Sequence, residues 1–173
     1  MSQMPTQDLA CGVKLQGTPV TDFTDGLKQN LKGKVCVIGI GNRLKGDDAA
    51  GPELIDRITG RSRFHCLDTG VAPENYLEKI VLIKPDTVLL VDAMDFGGEA
   101  GACRLFAADQ IMGGGWSSHA LSLRLTCDYL QQRISAHIFL LGIQPAQVKM
   151  NQPLSVAVKA AVEKLAADLG ATN

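Results

Sequence analysis

Apolar residues fall along the chain in two kinds of block, short runs with little charge and longer segments with helical spacing. The runs at 34–40, 64–67, 87–93 and 137–143 are rich in Val, Ile, Leu and Phe. That composition suits strands buried on both faces of a parallel sheet. A weaker alternation at 102–106 predicts an edge or antiparallel strand. Between the runs, helical spacing predicts helices over about 52–59, 73–82, 119–132 and 154–169, with a single turn at 109–112. Pro52 and Pro73 suit first turns because proline brings no N–H that needs a partner there. Thr21 or Asp22 can cap a short helix carrying Phe23, Leu27 and Leu31, which Gly33 ends. Residues 1–20 lack any sustained period and read as a loose lead-in.

This order predicts a single-domain α/β sandwich with a five-stranded, mostly parallel mixed sheet and helices on both faces. Residues 1–33 form a lead-in segment with a short helix, and 34–173 form the domain proper. A length of 173 residues suits one core. The net charge of −1 carries no basic stripe for a nucleic acid or a lipid surface. The apolar runs are strand-length and the first 20 residues lack a signal-peptide pattern, so a cytoplasmic protein is expected. Five cysteines (Cys11, Cys36, Cys66, Cys103 and Cys127) show no Cys-x-x-Cys spacing, and three lie in predicted strands. Neither a disulfide framework nor a thiolate zinc site is indicated.

Chemistry gathers where strands end. The run 35–40 breaks at Gly39 and Gly41, and Asp47-Asp48 follow just before Gly51-Pro52. Asp92 ends the 87–93 strand, while Ser117, Ser118 and His119 follow a run of three glycines read as a mobile loop, with Ser118 the expected cap of the next helix. In open α/β sheets, carboxyl strand ends are where ligands bind. Each acid alone has a structural explanation, one of the pair capping a helix and Asp92 merely ending a strand. Together Asp48, Asp92 and His119 form an oxygen and nitrogen set for a borderline divalent ion, with a position left for substrate or water. His65 and His137 are read as packing or strand-end residues, and Asp68, before Thr69-Gly70, as a turn former that could orient a ligand or act as a base.

Competing chemistries fit less well. The glycine turn invites a dinucleotide site, but Leu44 stands where G-x-G-x-x-G needs its third glycine, and two carboxylates lie where a pyrophosphate would sit. No Gly-Lys-Ser/Thr forms a P-loop, no Gly-x-Ser-x-Gly elbow supports a serine nucleophile, and no thiol falls on the rim. A nucleotide- or metabolite-binding module remains the alternative to an enzyme.

Five separated motifs carry a resemblance. They are Gly39-Ile-Gly-Asn42-x-x-x-Gly46-Asp47-Asp48-x-x-Gly51-Pro52; Asp68-x-Gly70 with Ala72-Pro73-Glu74-Asn75; Val91-Asp92-Ala93; Ser118-His119; and Leu141-Gly-Ile-Gln-Pro145. In this order and spacing they resemble the hydrogenase maturation endopeptidases, most closely the branch serving formate-hydrogenlyase-type and related membrane-bound [NiFe] hydrogenases. The resemblance spans about 34–169. It implies a cytoplasmic protease, expected to be monomeric, that removes a short C-terminal extension from the large-subunit precursor after nickel insertion. It also implies that Asp48, Asp92 and His119 bind a nickel ion that arrives with the precursor. Ala49-Ala50 depart from the pattern, where a glycine often follows the acid pair, but no ligand is lost. Polarisation of the scissile carbonyl and activation of a water both suit a Lewis acid with a free position.

Overall fold

The computed structural model describes residues 18–19, 27, 29–113 and 117–170. Its strands are β1 (Thr18–Pro19), β2 (Val35–Gly39), β3 (His65–Asp68), β4 (Thr87–Ala93), β5 (Cys103–Ala107) and β6 (His137–Ile143). The helices are α1 (Ala50–Ile58), α2 (Leu77–Ile83), α3 (Ala120–Arg133) and α4 (Val156–Gly170), and 3₁₀ turns cover Gly46–Ala49, Pro73–Tyr76 and Ala108–Gly113. The sheet order is β1-β5-β6-β4-β2-β3. Strands β3, β2, β4 and β6 run parallel, while β5 joins β6 antiparallel.

The five expected strands are all present within a residue or so of their predicted bounds. Thr18–Pro19 adds a sixth, pairing antiparallel with Leu105 and Arg104. Two residues are too short to leave a period in the sequence, so this strand escaped the pattern. The remainder of the lead-in (1–17 and 20–26), with Cys11 and the capping residues Thr21 and Asp22, lies outside the described residues. So do 114–116 of the glycine loop. Leu27, Gln29 and Asn30 are helical, and Leu27 and Leu31 are buried as their spacing predicted.

Strand alternation divides the core into two layers. Val35, Val37, Leu89, Val91, Leu141 and Ile143 face α1 and α4, whose Leu54, Ile58, Val158, Val162 and Leu165 pack against them. Cys36, Ile38, Val88, Leu90 and Leu140 face Ile80 of α2 and Leu123, Cys127 and Leu130 of α3. Both faces of the central strands are therefore dry, which is why their sequences are continuous apolar runs.

The chain leaves β2 for β3 on one side and then crosses to β4 on the other. The carboxyl ends of β2 and β4 thus flank a topological switch point, the crevice where ligands bind in open α/β sheets. Gly51 lets α1 enter this crevice, since a Cβ there would stand 2.4 Å from the Ile40 carbonyl oxygen and 2.5 Å from that of Val91. Gly41 has φ +144°, and a Cβ on it would lie 1.8 Å from the Asp48 carbonyl oxygen. A side chain at either position would push the acid pair off the end of β2.

Candidate functional site

The adjacent acids after β2 point in different directions. Asp47 is fully buried and accepts from the backbone N–H groups of Ala146 (2.8 Å), Gln147 (3.1 Å) and Ser155 (2.6 Å) and from the Ser155 hydroxyl (2.9 Å). It clamps the loop between β6 and α4 onto the first motif. Asp48 turns to the crevice instead. Its Oδ2 accepts the Asn42 N–H at 2.9 Å and its Oδ1 accepts the Ser118 hydroxyl at 3.2 Å.

Across the crevice, Asp92 is fully buried near the end of β4. Its Oδ1 lies 3.2 Å from His119 Nδ1, and its Oδ2 accepts the Ser117 hydroxyl. An Nδ1–H donated to Asp92 leaves Nε2 facing Asp48, 3.9 Å from its Oδ2. One ligand atom from each of Asp48, Asp92 and His119 lies within 4.8 Å of the others. Ligands around an ion at about 2.0–2.2 Å stand about 3–4.3 Å apart, so the set needs only a small inward movement to hold a metal. The residues fit such an ion in donor chemistry and spacing.

Electrostatics support the same arrangement. Burial raises the Asp92 carboxyl above the ordinary carboxylate range, against the hydrogen bonds from His119 and Ser117 that pull it down, and the Asp48 charge adds to the rise. Burial alone would lower the His119 pKa, but the hydrogen bond and charge of Asp92 together with the Asp48 charge outweigh it, and the net direction is up. Without metal, the two neighbouring carboxylates thus favour a proton on His119.

Ser117 and Ser118 act differently from the expected caps. The residue preceding α3 is His119 itself, and no side chain caps the helix. Ser117 Oγ accepts the His119 N–H at 2.9 Å while donating to Asp92, and Ser118 reaches Asp48. Both hydroxyls donate to carboxylates instead of capping the helix. The pair of serines beside a histidine was the sequence signal for this, although it equally suits a cap. Arg43 was not singled out by sequence. It pairs with Asp68 and Asp56 at 2.7 Å each and lies 3.7 Å from Glu53. Asp68 accordingly serves its turn, accepting the Gly70 N–H at 2.9 Å, and holds Arg43 rather than joining the three-residue cluster.

The other candidates fall away from the crevice. His65 and His137 are exposed at the starts of β3 and β6, at the opposite rim. Cys36, Cys66, Cys103 and Cys127 are free thiols. Burial pushes Cys36, Cys103 and Cys127 up to about 12, which leaves them as packing groups rather than nucleophiles. The turn amides a nucleotide phosphate would need are already spent. Those of Gly46, Asp47 and Asp48 donate to Gln152, Gln147 and Lys45 carbonyls, and that of Asn42 donates to Asp48.

The chain matches the family model described as HycI, hydrogenase maturation protease, over residues 51–170. It is 35% identical over 127 residues to the hydrogenase 3 maturation protease of Escherichia coli K12, covering 72% of this chain and 81% of that protein. The crystal structure of a [NiFe] hydrogenase maturation protease HycI from Thermococcus kodakarensis KOD1 superposes with a TM-score of 0.76 at 32% identity, over 83% of this chain and 96% of that one. The solution structure of the endopeptidase HycI from Escherichia coli gives 0.71 at 30%, over 80% and 90%. Agreement in sequence and fold over most of the chain, with two acids and a histidine converging at the switch point, has one consequence: the chain belongs to the hydrogenase maturation proteases and is a hydrolase of peptide bonds.

Proposed function

We propose that this protease removes the C-terminal extension of a [NiFe] hydrogenase large-subunit precursor after nickel insertion, and that Asp48, Asp92 and His119 recognise the inserted nickel. The observation that carries this reading is the convergence of those three side chains, with ligand atoms within 4.8 Å, at the switch point of a hydrogenase maturation protease fold. Nickel is part of the substrate here. The precursor presents an ion that this set can complete but, being small and free of thiolates, would hold only weakly by itself. Cleavage then follows loading, because an unloaded precursor gives the three residues nothing to bind.

Each residue has a separate task. Asp48 offers a charged oxygen held by the Asn42 amide and Ser118. Asp92 fixes the His119 ring through Nδ1, so that Nε2 faces the crevice. The bound ion supplies Lewis acidity beside the scissile bond. We further propose that the protein works as a monomer in the cytoplasm. The free thiols of Cys36, Cys66, Cys103 and Cys127 support a reducing compartment, and among the described residues no helix is long and apolar enough to cross a membrane.

The test is cleavage of nickel-loaded precursor by Asp92→Asn and His119→Ala proteins. Both are expected to fold, by cooperative melting and circular dichroism, and to leave the precursor uncut. Wild-type cleavage rates in either variant would refute the assignment.

A further inference from the structure

Beside the crevice, two loops are joined into one rigid surface. Gly46 N–H donates to the Gln152 carbonyl (3.1 Å), Asp47 N–H to that of Gln147 (3.0 Å) and Asn151 N–H to that of Leu44 (2.7 Å). The Asp47 carboxylate ties in Ala146, Gln147 and Ser155. From this hydrogen-bonded frame, Leu44, Val148 and Met150 project into solvent, 60%, 51% and 52% exposed. Exposed apolar side chains gathered on one bonded frame mark an interaction surface in a way that single exposed residues do not.

Two further observations bear on its partner. Lys45 and Lys149 alternate with the apolar residues, and neither ammonium has an ion-pair partner among the described residues. A cleft of about 390 Å³ adjoins the same two loops, lined by Gly46, Ala49, Gln152, Pro153 and Leu154 and by the charged Arg43, Glu53, Arg57 and Lys159. The same frame is tied to the crevice: Leu44 N–H donates to Asn42 Oδ1, and Asn42 N–H to Asp48. Anything seated on it lies beside the three-residue cluster.

We infer that Leu44, Val148 and Met150, flanked by Lys45 and Lys149, form the docking surface for an apolar segment of the precursor polypeptide that carries acidic residues at its flanks. This rests on the processing reading given above. The apolar trio supplies contact area, and the two unpaired cations favour a partner segment with carboxylates spaced to meet them. Docking there holds the precursor while its nickel reaches Asp48, Asp92 and His119. The apolar trio therefore governs substrate binding and leaves the chemical step alone, whereas the Lys45 charge also reaches His119.

The experiment is steady-state cleavage of nickel-loaded large-subunit precursor from the same organism by wild type, the L44S/V148S/M150S triple variant and the K45Q/K149Q double variant, with sedimentation of each enzyme alone. The triple variant is expected to raise KM by roughly 10- to 100-fold, as loss of an interface anchor does, with kcat at saturation within about twofold of wild type. The double variant should raise KM at low salt and flatten its salt dependence. An unchanged KM in both variants overturns the docking surface while leaving the processing activity standing. A wild-type dimer that the triple variant converts to monomer also overturns it, since the patch would then be a contact between copies. Absence of cleavage by wild type refutes the processing reading, and the surface with it.

Discussion

Replacing Asp47 or Asp48 by asparagine separates two residues that the sequence presents as a pair. Asparagine at 47 keeps one oxygen where the carboxylate has two. If that oxygen takes the Oδ2 position, it still meets Ala146 N–H, Gln147 N–H and the Ser155 hydroxyl, but its amide group then opposes the Ser155 N–H now held at 2.6 Å. The other orientation opposes two N–H groups and is worse. One charge-assisted bond is lost, a buried donor is orphaned and the remaining bonds become neutral, for a cost of about 3 kcal/mol. For a chain of this length that lowers Tm by about 6–12 °C. At 48, asparagine keeps its oxygen on the Asn42 N–H and can turn its amide toward Ser118, whose hydroxyl accepts as well as donates. Stability should change by less than about 1 kcal/mol, while cleavage of loaded precursor is abolished through loss of the charged ligand. Thermal melting and a gel-based cleavage assay read both effects. An Asp47→Asn protein as stable as wild type, or an Asp48→Asn protein that cuts normally, would refute this division of labour.

Other expectations rest on the surrounding shell and on the thiols. Ser117→Ala removes the hydroxyl that joins Asp92 to the His119 amide, and is expected to lower kcat roughly 10- to 100-fold with partial recovery in Ser117→Thr. Full activity in the alanine variant would exclude a positioning role. Cys36, lifted to about 12 by burial, should resist iodoacetamide in the native state, and Cys36→Ala should cost about 1–2 kcal/mol of stability without slowing cleavage; rapid labelling with loss of activity would contradict this. The His119 pKa is raised, against its burial, by Asp92 and Asp48. Its proton therefore stabilises the metal-free fold below about pH 6.5, and that stabilisation is lost as pH rises through the higher folded value. A metal ion must displace the same proton, so cadmium titrations should show binding tightening as pH rises through that value, and a flat profile would contradict the geometry.

Much of this site was legible because strands buried on both faces advertise themselves. The runs ending at Gly39 and Ala93 fixed where the sheet's carboxyl rim lay, and the acids just after or within those ends could only sit on it. His119 followed from the helix start at Ala120. What sequence does not carry is the direction of side chains within a turn. In residue type Asp47 and Asp48 are alike, and the return of the 144–155 loop, about a hundred residues later, makes Asp47 a clamp while Asp48 faces the crevice, held by the Asn42 amide and Ser118. The serines before His119 failed as caps for a related reason: their true acceptors, Asp92 and Asp48, come from distant segments. Thr18–Pro19 was missed because a two-residue strand has no period to read.

Recognition through Asp48, Asp92 and His119 requires that the metal arrive with the precursor. Purified large-subunit precursor, prepared nickel-loaded and nickel-stripped, should be incubated with the metal-free enzyme under chelating conditions strong enough to scavenge free ions. The loaded form should lose its C-terminal extension, and the stripped form should remain uncut even at high enzyme concentration. Rapid cleavage of the stripped precursor would contradict recognition through Asp48, Asp92 and His119, and a metal-independent acid/base route through Asp48 and Asp92 would take its place.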